Sequence, residues 1–191
     1  MRRWWLWVAI VLGFAIATPI VIGPVRDNHE RKVDVYRAFL NQYGEGAPLN
    51  LSNTASRFDA SKEGGISCLP SAMLTSLVAQ TRPPPTFSQT DFNGVPVRVV
   101  DQDVQIELIR QNDPMSNIAA PRDIGAALDA AFASGLLSVS DVGFDVTGQR
   151  ALLTYSFSCG SLCGHHGVAL LERSAGHWTV SDRRCGSFGM S

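Results

Sequence analysis

The chain opens "MRRWWLWVAIVLGFAIATPIVIG", and from Trp4 to Gly23 it carries no charged side chain. A core helix of that length would show a polar face, and this stretch has none. At a rise of about 1.5 Å per residue the run covers roughly 30 Å, the hydrocarbon thickness of a bilayer. Arg2 and Arg3 precede it and favour the cytoplasmic side, which sends the rest of the chain across. Trp4, Trp5 and Trp7 suit an interfacial aromatic belt just inside those arginines. Ala15-Ile16-Ala17 has the form of a signal-peptidase site, but the apolar run continues past it through "TPIVIG". "RRWWLW" also admits a twin-arginine export signal, although the segment is more apolar than such a signal is expected to be. The expected organisation is an uncleaved signal-anchor over 1–24, crossing the cytoplasmic (inner) membrane once through residues 4–23. A single extracytoplasmic domain over 25–191 follows it, facing the periplasm or its equivalent.

That placement decides how the remaining composition is read. About 168 residues follow the anchor, enough for one domain with one core. All 17 acidic residues lie beyond position 24, while Arg2 and Arg3 take two of the 16 basic ones, so the exported part carries a net charge of −3. Its charges are well mixed, and no Lys/Arg stripe interleaved with aromatics is present, which speaks against nucleic acid as a partner. Four cysteines in an oxidising compartment point to disulfides.

Local patterns give several elements. In "RDNHERKVDVYRAFLNQYG" (26–44), Val33, Tyr36, Leu40 and Tyr43 recur at helical spacing and Gly44 supplies a C-cap. Residues 45–65 read as loop, with a short extended piece at Leu49 to Leu51. "CLPSAMLTSLVAQ" (68–80) reads as a second helix with Pro70 in its first turn, ended by "TRPPPTFSQ". A strand is expected at 97–100, then either a strand or a short helical turn over 103–109, where Val104, Ile106 and Leu108 alternate with Gln105 and Glu107. In "PRDIGAALDAAFASG" (121–135), Ile124, Ala127, Leu128, Ala131 and Phe132 form one apolar helix face between Pro121 and Gly135. The C-terminal part, 142–184, alternates apolar residues between Gly-bearing turns and reads as an antiparallel meander. The expected fold class is therefore α+β: several helices packed on an antiparallel β-meander, preceded by one N-terminal transmembrane helix.

The densest chemistry is "SCGSLCGHHG" (158–167). Cys159, Cys163, His165 and His166 supply ligand atoms for tetrahedral zinc. However, adjacent strand residues point to opposite faces, so His165 and His166 do not converge readily on one ion. A reactive thiol pair normally stands as C-x-x-C at a helix N-terminus, whereas here three residues separate two cysteines between strands. The preferred reading is a structural disulfide, Cys159–Cys163, closing the hairpin loop, worth about 2 kcal/mol in the chain-entropy account. Cys68 and Cys185 would form a second bridge, although four cysteines allow three pairings. An enzymatic alternative pairs Cys68, at a helix start, with His165 or His166 as in thiol hydrolases. The local signatures of papain-like and cell-wall peptidases are missing around Cys68, and no Asn or Asp is evidently placed to orient the imidazole. No G-x-S-x-G, Walker loop, Rossmann glycine pattern or H-E-x-x-H occurs, and no cofactor or metal is expected.

The stretch from Leu136 to Val180 resembles a domain of uncharacterised bacterial exported proteins. The resemblance is carried by Ser140, Gly143, Phe144, Asp145 and Ala151, by the run Cys159, Gly160, Leu162, Cys163, Gly164, and by Gly167, Leu170, Leu171, Glu172 and Trp178. It covers about a quarter of the chain and implies a fold module and an export context, with no assigned activity. His165 and His166 stand outside the shared positions, as do Cys68 and Cys185. The sequence thus leads to a membrane-anchored extracytoplasmic protein that binds or assembles rather than catalyses. An accessory subunit of a larger membrane complex is one form of this, with His165 and His166 as its contact surface.

Overall fold

Helix α1 (Asn28–Tyr43) forms where the sequence repeats apolar residues at helical spacing, and it buries Val33, Val35, Tyr36, Phe39 and Leu40. Gly44 ends it with an N–H bond back to the Leu40 carbonyl at 3.0 Å. In this computed structural model the described residues are 28–44, 48–57, 83–113, 124–161, 163–182 and the backbone of 189–190. The expected anchor over 1–24, the expected helix over 68–80 and Cys185 lie outside them. Among the described residues no helix is long and apolar enough to cross a membrane.

The remaining elements are β1 (Leu49–Ser52), a 3₁₀ turn (Gln89–Phe92), β2 (Val97–Val100), α2 (Gln102–Gln111), α3 (Ile124–Ser134) and β3 (Leu136–Val139). After them come β4 (Gly143–Phe144), β5 (Arg150–Ser158), β6 (Gly164–Ser174), β7 (His177–Val180) and β8 (Gly189–Met190). They build one eight-stranded sheet in the order β2-β1-β3-β5-β6-β7, with β4 on β5 and β8 on β6.

This overturns the expectation of helices on a purely antiparallel meander. From β3 to β7 the pairs are antiparallel. But β1 lies between β2 and β3 and runs parallel to both. Parallel strands need a long crossover, and the connection from β2 past β1 to β3, which contains α2 and α3, is one. The sheet is therefore mixed, and the short extended piece expected at Leu49 to Leu51 is an interior strand.

The ambiguity at 103–109 resolves to helix. Asp101 caps α2, its carboxylate accepting from the N–H groups of Asp103 and Val104 at 3.0 and 3.1 Å. Hydrophobic alternation in this stretch is not the sign of a strand; it leaves apolar residues on the outer side of a helix.

Strand alternation divides the sheet into two faces. The first carries Leu51, Leu137, Val139, Ala151, Leu153, Ala169 and Leu171, which pack with Tyr36, Phe39 and Leu40 of α1 into the main core. Polar ties fix the helix on that face. Lys32 reaches the Asp141 carboxylate at 2.6 and 2.8 Å, and the Tyr36 hydroxyl donates to the Ser140 carbonyl at 2.9 Å. Arg37 donates from Nε to the Asp91 carbonyl at 2.6 Å.

The second face receives α2 and α3 through side-chain amides. Asn50 donates from Nδ2 to the Ala133 and Gly135 carbonyls at 3.1 and 2.9 Å, and Gln105 donates from Nε2 to the Ser134 carbonyl at 2.5 Å. Three successive carbonyls at the end of α3, which the helix itself cannot pair, thus find donors. Arg98 donates from Nε and Nη2 to Asn50 Oδ1 at 3.0 and 2.6 Å. At the β2 edge, Gln89 donates to the Val97 carbonyl at 3.0 Å and accepts from the Val99 N–H at 2.9 Å. Its amide takes the place that a further strand would occupy.

Candidate functional site

The β5–β6 hairpin carries the chemistry that the sequence singled out. Its strands pair from Arg150↔Glu172 to Ser158↔Gly164. Cys159 and Cys163 stand at disulfide distance across its tip, with Cα atoms 5.4 Å apart, and the Cys159 N–H donates to the Cys163 carbonyl at 3.2 Å. Gly160 adopts φ 108°, a conformation closed to most side chains, as the chain turns. Ser161 then donates to the Asp113 carboxylate at 2.7 Å, tying the tip to the residues that follow α2.

His165 and His166 fall on opposite faces, as strand alternation requires. His165, paired across the strands with Phe157, turns toward α1. Its Nε2 lies 2.5 Å from the Tyr43 hydroxyl, and its ring sits 5.7 Å from Tyr43, 5.6 Å from Phe157 and 6.1 Å from Tyr155. Burial pushes the His165 pKa below its ordinary value, and the charge of His166 adds to this. Burial, followed by the neighbouring Tyr155, raises the Tyr43 phenol. A neutral imidazole therefore meets a protonated phenol, and the pairing in which Tyr43 donates places the His165 proton on Nδ1. Gly167 makes the crowding possible, because a Cβ there would lie 2.8 Å from the Tyr155 hydroxyl.

The aromatic contacts continue outward. Phe157 stacks on Phe132 of α3, centroids 6.4 Å apart and planes 13° from parallel. Phe132 is 56 % exposed. Further large apolar residues are left to solvent on the same two helices: Ile124 on α3, and Val104, Ile106 and Leu108 on α2. The apolar face expected for α3 is thus buried only at Ala131, with Ile124 and Phe132 open. On α2 it is Gln105 and Ile109 that are buried. Apart from Ile109, the fully buried residues of the two helices are polar or small (Gln105, Ala131 and Ser134), and large apolar ones face outward beside a hairpin tip pinned to the end of α2.

Cys68 and Cys185 lie outside the described residues, so neither their pairing nor a Cys68–imidazole contact is part of this geometry. His165 Nε2 is engaged by Tyr43. Among the described residues no three His, Cys, Asp or Glu side chains gather as metal ligands. Sequence reasoning missed the outward face of α2, although Val104 and Leu108, four apart, carried its signal. It also missed Tyr43 as the partner of His165, which no local pattern marks.

Fold and surface together define a mixed α/β domain with an open apolar helix pair. The chain matches no family model, no curated protein and no solved structure.

Proposed function

We propose that this protein is a membrane-anchored extracytoplasmic subunit that works by binding, as an accessory or assembly component of a larger membrane complex. The reading of the anchor and its orientation comes from the uncharged run at 4–23 behind Arg2 and Arg3. The single observation that supports binding is the outward apolar face of α2 and α3, where Val104 is 62 % and Phe132 56 % exposed. Large apolar side chains left open to water raise the free energy of the lone domain, and a partner that covers them relieves it. The partner fitting this face is a protein subunit with a complementary apolar surface, reached within the plane of the membrane.

The test is the size of the detergent-solubilised full-length protein. It should migrate as part of a larger assembly, and Phe132→Asp with Val104→Asp should release it as a single subunit without lowering its thermal stability. A monomer in both cases would refute the reading. Extraction of the intact chain by alkaline carbonate would separately refute the anchor.

A further inference from the structure

The turn between β4 and β5, residues 145–149, carries the most exposed large apolar side chain among the described residues, Val146 at 95 %. The Asp145 carboxylate braces this turn. It accepts from the Thr147 hydroxyl at 2.7 Å and from the N–H groups of Gln149 and Arg150 at 2.9 and 3.1 Å. Gly148, at φ 66°, lets the first turn of α1 come close, since a Cβ there would lie 2.9 Å from Arg31 Nη2. Val146 is thus held out into solvent on a fixed tip beside the start of α1.

Next to the tip, two arginines flank two aromatic rings on the α1 face of the sheet. Arg31 Cζ stands 4.5 Å from the Phe144 ring centre, and Phe144 lies 5.9 Å from Trp178. Arg173, the cross-strand partner of Trp178, places its Cζ 5.7 Å from the centre of that ring. The neighbouring cation Lys32 is answered by Asp141, whereas neither Arg31 nor Arg173 meets a carboxylate among the described residues. Arg173 Nε is buried without an acceptor. Partly desolvated guanidinium charge with no anion beside it is costly, and a phosphate matches its paired donors.

We propose that this end of the domain is a membrane-contact surface: Val146 enters the bilayer interface, and Arg31 and Arg173 bind the phosphates of anionic phospholipids. The inference rests on the anchor reading above, which also supplies the tether. Four residues, Pro24 to Asp27, separate Gly23 from Asn28, so the apolar run ends within roughly 18 Å of the start of α1. Arg31 is in the first turn of that helix. An apolar tip, flanking guanidiniums and a half-buried tryptophan suit a headgroup layer, where amphipathic side chains keep one end apolar and the other wet. The wider apolar surface that suits a protein partner stands elsewhere, on α2 and α3.

The experiment places a diazirine-bearing leucine analogue at Val146 of the full-length protein, whose open position spares the fold. The protein is reconstituted in vesicles of equal parts phosphatidylglycerol and phosphatidylcholine, floated with them, irradiated and mapped by mass. Phospholipid adducts are expected, with phosphatidylglycerol ahead roughly fivefold, the worth of one arginine near an anionic surface. Arg31→Gln with Arg173→Gln should level the two lipids while the adducts persist. Adducts to protein, or to water alone, on a chain that floats overturn the contact and leave the anchor reading in place. Equal labelling of both lipids without those substitutions, or a preference that survives them, overturns phosphate binding by the two arginines. A chain that fails to float overturns the anchor reading and the contact with it.

Discussion

Replacing Asn50 by alanine tests how the helical layer is fastened to the sheet. Asn50 is 7 % exposed and makes four hydrogen bonds, two to the α3 carbonyls of Ala133 and Gly135 and two from Arg98. Each neutral bond contributes about 1 kcal/mol net, and a buried carbonyl left without a donor costs about 1–3 kcal/mol. Arg98 is exposed and regains water, so its two bonds add little to the loss. Asn50→Ala should therefore cost about 3 kcal/mol. In a domain of this size that lowers the Tm by roughly 6–12 °C. Urea unfolding followed by circular dichroism should show a lower midpoint at unchanged slope. Gln105→Ala removes the third donor at the same helix end and should cost about 2 kcal/mol. Because both amides secure one helix terminus, the double variant should cost less than the two separately. A loss below about 1 kcal/mol for Asn50→Ala would show that water replaces the amide, and the fastening argument would fail.

Three other outcomes are expected. Lys32→Met leaves the 9 %-exposed Asp141 carboxylate without its ammonium and should cost roughly 3 kcal/mol, much of it regained by adding Asp141→Leu, measured by urea unfolding. His165 has a folded pKa below its unfolded value near 6.5, so its contribution is full above that value and is lost as pH falls toward the folded one. His165→Gln should flatten the fall in thermal stability just below pH 6.5, and an unchanged slope would refute this. Ala175 holds φ 50° ahead of Gly176 at φ 86°, the mirror-image turn that Asn-Gly prefers, so Ala175→Asn should raise stability by about 0.5–1 kcal/mol in the same assay.

The β5–β6 hairpin was legible in the sequence because alternation and glycine-bearing turns are local signals, and the opposite facing of His165 and His166 followed from strand geometry alone. Strand β1 was not legible as an interior strand. It has four residues, and Asn50 and Ser52 sit where an apolar pattern would have marked it. Their polarity serves the sheet's second face, through Asn50 to the end of α3 and Ser52 to Gln102 at 3.1 Å. On α2 the alternation of Val104, Ile106 and Leu108 pointed equally to a strand, and the Asp101 cap decided for a helix. Tyr43 lies 122 residues from His165 in the chain, and only the packing of α1 on the sheet brings them together.

The attachment of α1 also has a mechanical side. Lys32, Tyr36 and Arg37 tie its first half to Asp141, Ser140 and Asp91, and Tyr43 ties its last turn to His165. A pull on the chain ahead of Asn28 thus loads several bonds at once along the helix axis, in shear rather than by peeling. Fastened at both halves of its sixteen residues, the helix resists tilting against the sheet, and its last tie bears directly on the β5–β6 hairpin.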